Sequence, residues 1–231
     1  FHTVVLSRID IDFAKNQLRI LAHEWYMSSR GAIPAYEWNF SDVNPPLHMW
    51  AALKIFKIEC AQRRANGDTD FEGDWTFLAD IFRHCLMNFV WWLNQEDPEN
   101  KNLFEGGFLG LDNISIINRS DMESFRRQIN AKAVELNQSD GTSWVGLFCL
   151  NMMEAAIELC QYSSTEYIHM VTKFLEYFVT VSSSINGEGA ALQTSSKHLS
   201  LWNDTDGFYY DFLKVTEWDV TEVLHQIKLK S

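Results

Sequence analysis

Long amphipathic helices alternate with long loops along this chain. Apolar side chains recur at the i, i+3, i+4, i+7 spacing of a helix face, which predicts helices over residues 10–26 and 47–65, from 75 to the Asp97-Pro98 stop, over 140–160, and from 163 onward. A capping-box pattern at residues 120–123 predicts a further short helix. Long loops at every second connection are typical of stacked α-hairpins with the functional residues on one side.

The loops carry their own signals. Residues 28–46 contain Gly31, Pro34 and the Pro45-Pro46 pair, which predict a loop that ends one helix and starts the next. Residues 185–200 are rich in Gly, Ser and Ala and also predict a loop. The sequence LWNDTDGFYYDFL follows it, and its tight turn between aromatic residues is compatible with a local β-hairpin.

The loop over residues 102–120, with the sequence NLFEGGFLGLDNISIINRS, has the composition of an active-site loop. Gly106, Gly107 and Gly110 allow backbone conformations, or a close approach to a ligand, that side chains hinder. A single carboxylate, Asp112, follows them. Because catalytic groups often lie on loops held by a rigid scaffold, we predict that this loop is functional.

Composition narrows the class of ligand. The formal net charge of −12 and the pI near 4.9 argue against binding nucleic acid, which requires a basic surface. Nine Trp, seven Tyr and sixteen Phe fit a neutral, hydroxyl-rich ligand such as a sugar, whose C–H faces pack on aromatic rings. For any one ring, a position in the core is the more common alternative.

The sequence gives no support for a metal or another cofactor. Four cysteines, Cys60, Cys85, Cys149 and Cys160, lie in apolar helical segments without metal-ligand spacing, which predicts reduced core thiols. Histidines at metalloprotease spacing, a Walker loop and a G-x-S-x-G elbow are all missing. Apolar runs stay below about 18 residues, so we predict no membrane segment in this chain, and a cytoplasmic location is favoured over a secretory lumen.

Acidic residues cluster with aromatic residues on the long loops. The clusters are Glu37, Trp38 and Asp42; Glu105 and Asp112; Asp140 and Trp144; and Asp204, Asp206 and Asp211 beside Tyr209 and Tyr210. Cleavage of a glycosidic bond requires one carboxylic acid to protonate the leaving oxygen and a second carboxylate as base or nucleophile. The structural alternative for each acid is a helix cap or a solvated loop residue, and for Asp140 the cap is favoured.

Four long segments carry a resemblance to a known family: EWYMSSRGAIPAYEWNFSDVNPPLHMWA, LMNFVWWLNQEDPENKNLFEGGFLGLDNISIINRS, QSDGTSWVGLFCLNMMEAAIEL and LWNDTDGFYYDFL. In order and spacing they resemble glycoside hydrolase family 63, which includes mannosyl-oligosaccharide glucosidases and relatives that act on mannosylglycerate, glucosylglycerate or small α-glucosides. The resemblance covers nearly the whole chain. It implies an all-α fold, the (α/α)6 barrel of six-hairpin glycosidases, with residues 1–231 forming an incomplete part of one such catalytic domain.

The resemblance also implies inverting hydrolysis of α-glucosidic or α-mannosidic bonds in an oligosaccharide or small α-glycoside. Two carboxylates about 6.5–9.5 Å apart leave room for a water in such a mechanism. The general acid of the family is the Asp of a G-x-D-N/D loop, which here corresponds to Asp112 within Gly110-Leu111-Asp112-Asn113. Residues that resemble the sugar-binding positions of the family are Trp38, Asn44, Phe108, Asn113, Asp140, Trp144 and Tyr209, the last with a structural role as the alternative.

The general base of the family is a Glu further downstream, and no residue of this chain matches it. The sequence also supplies too few helices to close six hairpins. We therefore expect a fragment, truncated at both ends, that is inactive alone. The alternatives are a catalytically inactive carbohydrate-binding or scaffold protein and a helical-hairpin interaction protein, although no fixed-period repeat supports the last.

Overall fold

The computed structural model describes residues 1–23, 26–36, 39–95, 102–104, 122–137, 141–187, 200–216 and 222–227. Its helices are α1 (His2–Leu6), α2 (Ile11–Ala22), α3 (His48–Ala65), α4 (Trp75–Gln95), α5 (Met122–Gln128), α6 (Gly141–Tyr162) and α7 (Ser164–Ile185). Its strands are β1 (Pro34–Tyr36), β2 (Asn39–Val43), β3 (Ala133–Asn137), β4 (Trp202–Asn203), β5 (Phe208–Tyr209), β6 (Asp211–Thr216) and β7 (Glu222–Ile227). The prediction of a mostly helical chain is confirmed.

The chain divides into two compact units. Unit 1 comprises Phe1–Gln95 and Trp144–Val179, and unit 2 comprises Glu96–Ser143 and Thr180–Ser231. Unit 1 holds α1 to α4, the β1–β2 pair and most of α6 and α7, whereas unit 2 holds α5 and the other strands. Each unit is therefore built from segments that are distant in sequence.

Buried aromatic rings form the centre of unit 1. The ring of Phe89 on α4 meets Phe148 of α6 edge-on at 5.4 Å and Phe174 of α7 at 5.1 Å between ring centroids. All three side chains are almost completely buried. Edge-to-face pairs at these separations add to the gain from apolar burial, so Phe89 links three helices that the apolar pattern predicts separately.

A buried ion-pair network joins α2, α3 and the start of α4. The Lys15 ammonium lies 2.5 Å from Glu59 Oε2, with the geometry of a close ion pair rather than a directed hydrogen bond. It also donates a hydrogen bond of 2.8 Å to Asp74 Oδ2. Asp74 Oδ1 in turn accepts from the Phe77 N–H and caps α4. One ammonium faces two carboxylates, so the buried Glu59 has its cation beside it, while Asp74 is 29% exposed to solvent and is also stabilised by the Phe77 N–H.

The predicted first helix was too long at its C-terminal end. Its N-terminus is confirmed, because the Asp10 side chain accepts a hydrogen bond from the Phe13 N–H. The helix ends at Ala22 instead of residue 26, since His23 takes an extended backbone conformation. The apolar spacing that continues to Trp25 suggested a longer helix, but Trp25 lies outside the described residues.

The segment predicted as a loop between α2 and α3 contains an antiparallel β1–β2 pair, which corrects that prediction. A buried hydrogen bond of 2.7 Å from Asn88 Nδ2 to the Gly31 carbonyl fixes the start of this segment on α4. Gly31 has φ +96°, and a Cβ there would stand 2.5 Å from the Met87 carbonyl oxygen. Only glycine fits this turn without strain.

Helix α6 is long and apolar enough to cross a membrane by length and composition alone, with a mean hydropathy of 1.3 over its most apolar window. Core helices of folded domains meet the same criterion, and half of that window is buried inside the protein. The apolar residues on the remaining surface include Leu147 and Ile157, which are exposed. The finding is weak support for a membrane span.

Unit 2 contains more β-structure than predicted. Strands β3, β6 and β7 form an antiparallel sheet in that order, and β4 pairs with β5. The β4–β5 pair confirms the hairpin suggested by the aromatic turn, with Trp202 opposite Tyr209. Sheet β3-β6-β7 is an addition to the all-α fold that the resemblance implies.

The cysteine prediction is confirmed. Cys60, Cys85 and Cys149 are buried free thiols, and Cys160 is partly buried. Burial raises the pKa of Cys149 to about 12, so this thiol stays protonated at neutral pH.

Candidate functional site

Five of the eight predicted site residues, Trp38, Phe108, Asp112, Asn113 and Asp140, lie outside the described residues. Asn44, Trp144 and Tyr209 are described. The structure also describes residues on either side of the glycine-rich loop, and residues next to Asp140 and Tyr209 in the sequence. Their contacts within unit 2 define how these three segments are held.

The entry to the glycine-rich loop is fixed on the start of α6. The Phe104 N–H donates a hydrogen bond of 2.9 Å to Thr142 Oγ1, and that hydroxyl donates back to the Phe104 carbonyl at 3.5 Å. Both residues are fully buried, so the peptide group depends on this hydroxyl. Phe104 directly precedes the loop and Thr142 follows Asp140 by two residues. The residue that precedes the glycine-rich loop is therefore held at the first turn of α6.

A small apolar cluster connects the same loop entry to the aromatic hairpin. Leu103 packs with Leu201, and Ile185 at the end of α7 packs against this cluster. Backbone hydrogen bonds extend the connection, from the Leu201 N–H to the Ile185 carbonyl at 3.1 Å and from the Tyr210 N–H to the Leu201 carbonyl at 2.8 Å. The hairpin that carries Tyr209 is thus attached to the residues that open the loop.

The three-stranded sheet provides a second connection. Asn137, the last residue of β3, is opposite Phe212 near the start of β6. Asp140 follows Asn137 by three residues, and Tyr209 precedes Phe212 by three. The antiparallel register consequently places the last residue of β3 and the start of β6, which follows the aromatic hairpin, at the same end of the sheet. Unit 2 gathers the flanks of three predicted site segments.

The contacts of Tyr209 are those of a structural residue. Its ring meets Trp202 at 4.9 Å between centroids, and its hydroxyl donates to Asn186 Oδ1 at 3.4 Å. The side chain is 48% exposed, so one part of the ring is accessible to a ligand. The geometry fits the structural alternative for Tyr209 and leaves ring surface for contact with a sugar.

Asn44 and Trp144 belong to unit 1. Asn44 is exposed and follows β2, and the nearby Pro46 is buried where the chain enters α3. Trp144 is partly buried in the first turn of α6, two residues beyond Thr142. Among the described residues, no hydrogen bond joins Asn44 to Trp144. The structure therefore locates both predicted residues but shows no hydrogen bond between them.

Sequence reasoning missed Thr142 and Asn186, which hold the loop entry and Tyr209. No motif marks either residue, because the partners are distant along the chain. Across the described ranges, no group of three or more His, Cys, Asp or Glu side chains is placed to hold a metal ion.

The chain is similar to a curated protein of yeast. The chain is 44% identical over 216 residues to the Saccharomyces cerevisiae protein described as uncharacterized protein YMR196W. The match covers 91% of this chain and 18% of that protein, so the chain spans less than a fifth of the relative's length. No protein-family profile matches the chain, and no solved structure gives a significant match.

Proposed function

We propose that this chain forms part of an inverting α-glycosidase that acts on an oligosaccharide or a small α-glycoside, with Asp112 as the general acid. The proposal rests on the resemblance to glycoside hydrolase family 63. The general base lies outside this chain in the proposal. Asp112 protonates the leaving oxygen while that base activates a water on the opposite face of the sugar ring.

The observation that carries the proposal furthest is the anchoring of the loop entry. Phe104 is bonded to Thr142 and Leu103 packs with Leu201, which ties the flanks of the glycine-rich loop, Asp140 and Tyr209 to one region of unit 2. A general acid must be held at a defined position, and a fixed loop entry is compatible with that requirement. These contacts support a site here and leave its reaction to be tested.

We propose further that the helices belong to an (α/α)6 barrel completed by other parts of a longer protein. Support comes from the hairpin α6–α7, in which two helices of 22 residues each are joined at Ser163. The much greater length of the yeast relative is compatible with further hairpins outside the compared region. On this proposal the chain alone does not hydrolyse glycosides.

The experiment is a hydrolysis assay on the full-length gene product with α-glucosides, α-mannosides and mannosylglycerate. Replacement of a general acid typically costs about 10²–10⁴-fold in rate, so Asp112→Asn is expected to lose that factor. The matched control is Asp68→Asn, at an exposed carboxylate in the turn after α3. Sugar binding that persists in Tyr162→Ala, without hydrolysis by the wild-type protein, would instead favour the inactive carbohydrate-binding alternative.

A further inference from the structure

A cleft lies in unit 1, at the turn between α6 and α7. It has a volume of about 510 Å³ and is lined by Thr76 and Arg83 of α4 together with Tyr162, Ser163, Glu166 and Tyr167. This volume falls within the range of small-ligand sites, about 300–1,000 Å³. The cleft contains none of the residues predicted for the glycosidase site.

An exposed aromatic ring forms one wall. Tyr162 is 58% exposed, and its ring stacks on Trp75 with an interplanar angle of 17° and 6.4 Å between centroids. Trp75 in turn packs against Phe56 at 4.9 Å. The stack holds the Tyr162 ring in place while much of its surface remains accessible. A fixed, accessible ring is suited to packing against the C–H face of a ligand.

The other aromatic residue is buried and rigid. Tyr167 is 8% exposed, and its ring meets Phe82 edge-on at 5.5 Å. Burial raises the pKa of the Tyr167 hydroxyl, the Glu166 carboxylate acts in the same direction, and the Arg83 guanidinium opposes it. Both charged groups therefore act on Tyr167 from nearby, which places a carboxylate, a guanidinium and a phenol in the same cleft.

The charges select against ionic ligands. An anion would meet Glu166 in a chain of net charge −12, and a cation would meet Arg83. Arg83 is also partly compensated by Asp80, whose Oδ1 lies 3.5 Å from its Nη2. A neutral ligand with several hydroxyl groups can use both, because a carboxylate accepts hydrogen bonds and a guanidinium donates them. The hydroxyls of Thr76 and Ser163 add further partners.

We propose that this cleft binds a neutral saccharide of one or two residues, with Tyr162 as the stacking platform and Glu166 and Arg83 bonded to sugar hydroxyls. The residues that line the cleft belong to unit 1 and do not include the residues proposed for hydrolysis, so the proposal does not depend on the proposed hydrolase activity. Its function is to hold a sugar without cleaving it.

The test monitors the Trp75 indole N–H signal by ¹H–¹⁵N NMR during titration with maltose and with methyl α-mannoside. The signal is assigned by its loss in Trp75→Phe. At least one sugar is expected to produce a saturable shift, since the ligand packs on the ring that stacks against Trp75. Inorganic phosphate and choline serve as the anionic and cationic probes and are expected to leave the signal in place.

Tyr162→Ala is expected to weaken binding about tenfold, the typical effect of one aromatic packing partner, with Tyr162→Phe retaining most of the affinity. Glu166→Gln weakens binding as well. Ile168→Ala removes an exposed apolar side chain of α7 outside the cleft lining and is the matched control. A dispersed spectrum for each variant verifies that it is folded.

Because Tyr162→Ala also removes the ring that stacks on Trp75, binding to that variant is followed by isothermal titration calorimetry. Asp112→Asn is expected to bind sugar normally, so loss of hydrolysis and loss of cleft binding are distinguishable. The proposal is wrong if neither sugar shifts the signal, if Tyr162→Ala binds as tightly as wild type, or if phosphate or choline binds in place of sugar.

Discussion

The hydroxyl of Thr142 is predicted to hold the entry of the glycine-rich loop, and Thr142→Val tests this directly. Valine has nearly the same shape but can neither accept a hydrogen bond from the Phe104 N–H nor donate one to the Phe104 carbonyl. Both residues are fully buried, so no water replaces the lost bond. The 3.5 Å bond is long and contributes little, and the cost arises mainly from the unsatisfied N–H.

An unsatisfied buried N–H costs about 1–3 kcal/mol. Because the substitution preserves the side-chain volume, no cost for a cavity is added to this free energy. Valine does place a methyl group beside a polar peptide group, which is part of the same cost. Amide hydrogen exchange of Phe104 reports the effect locally, and a cost of this size corresponds to roughly 5- to 150-fold faster exchange. Urea unfolding reports the same change globally for the part of the chain that contains α6.

Thr142→Ser is the matched control, because it keeps the hydroxyl and removes only a methyl group. We expect Phe104 exchange in Thr142→Ser to remain close to wild type, even if removal of the methyl lowers global stability. In the full-length protein, Thr142→Val also lowers the proposed hydrolase activity more than Thr142→Ser does. Equal Phe104 protection in the valine variant and wild type would refute the anchoring argument.

Three further predictions concern stability and use urea unfolding. Gly31→Ala is expected to destabilise the protein by well over the about 1 kcal/mol that alanine costs at an ordinary positive-φ glycine, because the new Cβ would lie 2.5 Å from the Met87 carbonyl oxygen. Gly67→Ala, at φ +90° with open space around it, is expected to show only that backbone cost, and equal effects of the two variants would contradict the steric reason. Lys15→Met is expected to lower the free energy of unfolding by about 3–5 kcal/mol, since it leaves the Glu59 carboxylate buried without its cation. Lys57→Met, at the exposed pair with Glu154, is expected to lower it by less than about 1 kcal/mol, and an equally small loss for Lys15→Met would show that the buried network does not stabilise the fold. Burial lowers the pKa of His48 from 6.5 to about 4, so the unfolded chain binds this proton at higher pH than the folded chain, and stability falls as the pH drops from 6.5 to 4 by up to about 1.4 kcal/mol per pH unit. His48→Gln is expected to remove this part of the slope, and an unchanged slope in that variant would refute the assignment.

The long helices were predictable because their signals are local. Asp74 caps α4 as its position before the apolar stripe indicates, and buried residues such as Leu78 and Phe82 follow the stripe itself. The end of α2 was predicted wrongly, because apolar spacing continues past the point where His23 leaves the helical conformation. Periodicity locates a helix better than it locates the last residue of that helix.

The sheet of unit 2 was not predictable in the same way. Strand β3 pairs with β6, which follows two long helices later in the chain, and no local pattern records that pairing. The same reason applies to the site. Glycines and the resemblance point to Asp112, but the hydrogen bond that fixes the loop entry joins Phe104 to a residue 38 positions away. Sequence reasoning finds candidate chemical groups more readily than the contacts that position them.

The most direct test of the central proposal is the stereochemistry of hydrolysis by the full-length gene product, followed by ¹H NMR of the first sugar released from an α-glucoside or α-mannoside. An inverting enzyme releases the β-anomer first, and Asp112→Asn is expected to slow that release by about 10²-fold or more while Asp68→Asn does not. Initial release of the α-anomer, a full rate in Asp112→Asn, or no hydrolysis of any of these substrates would contradict the account.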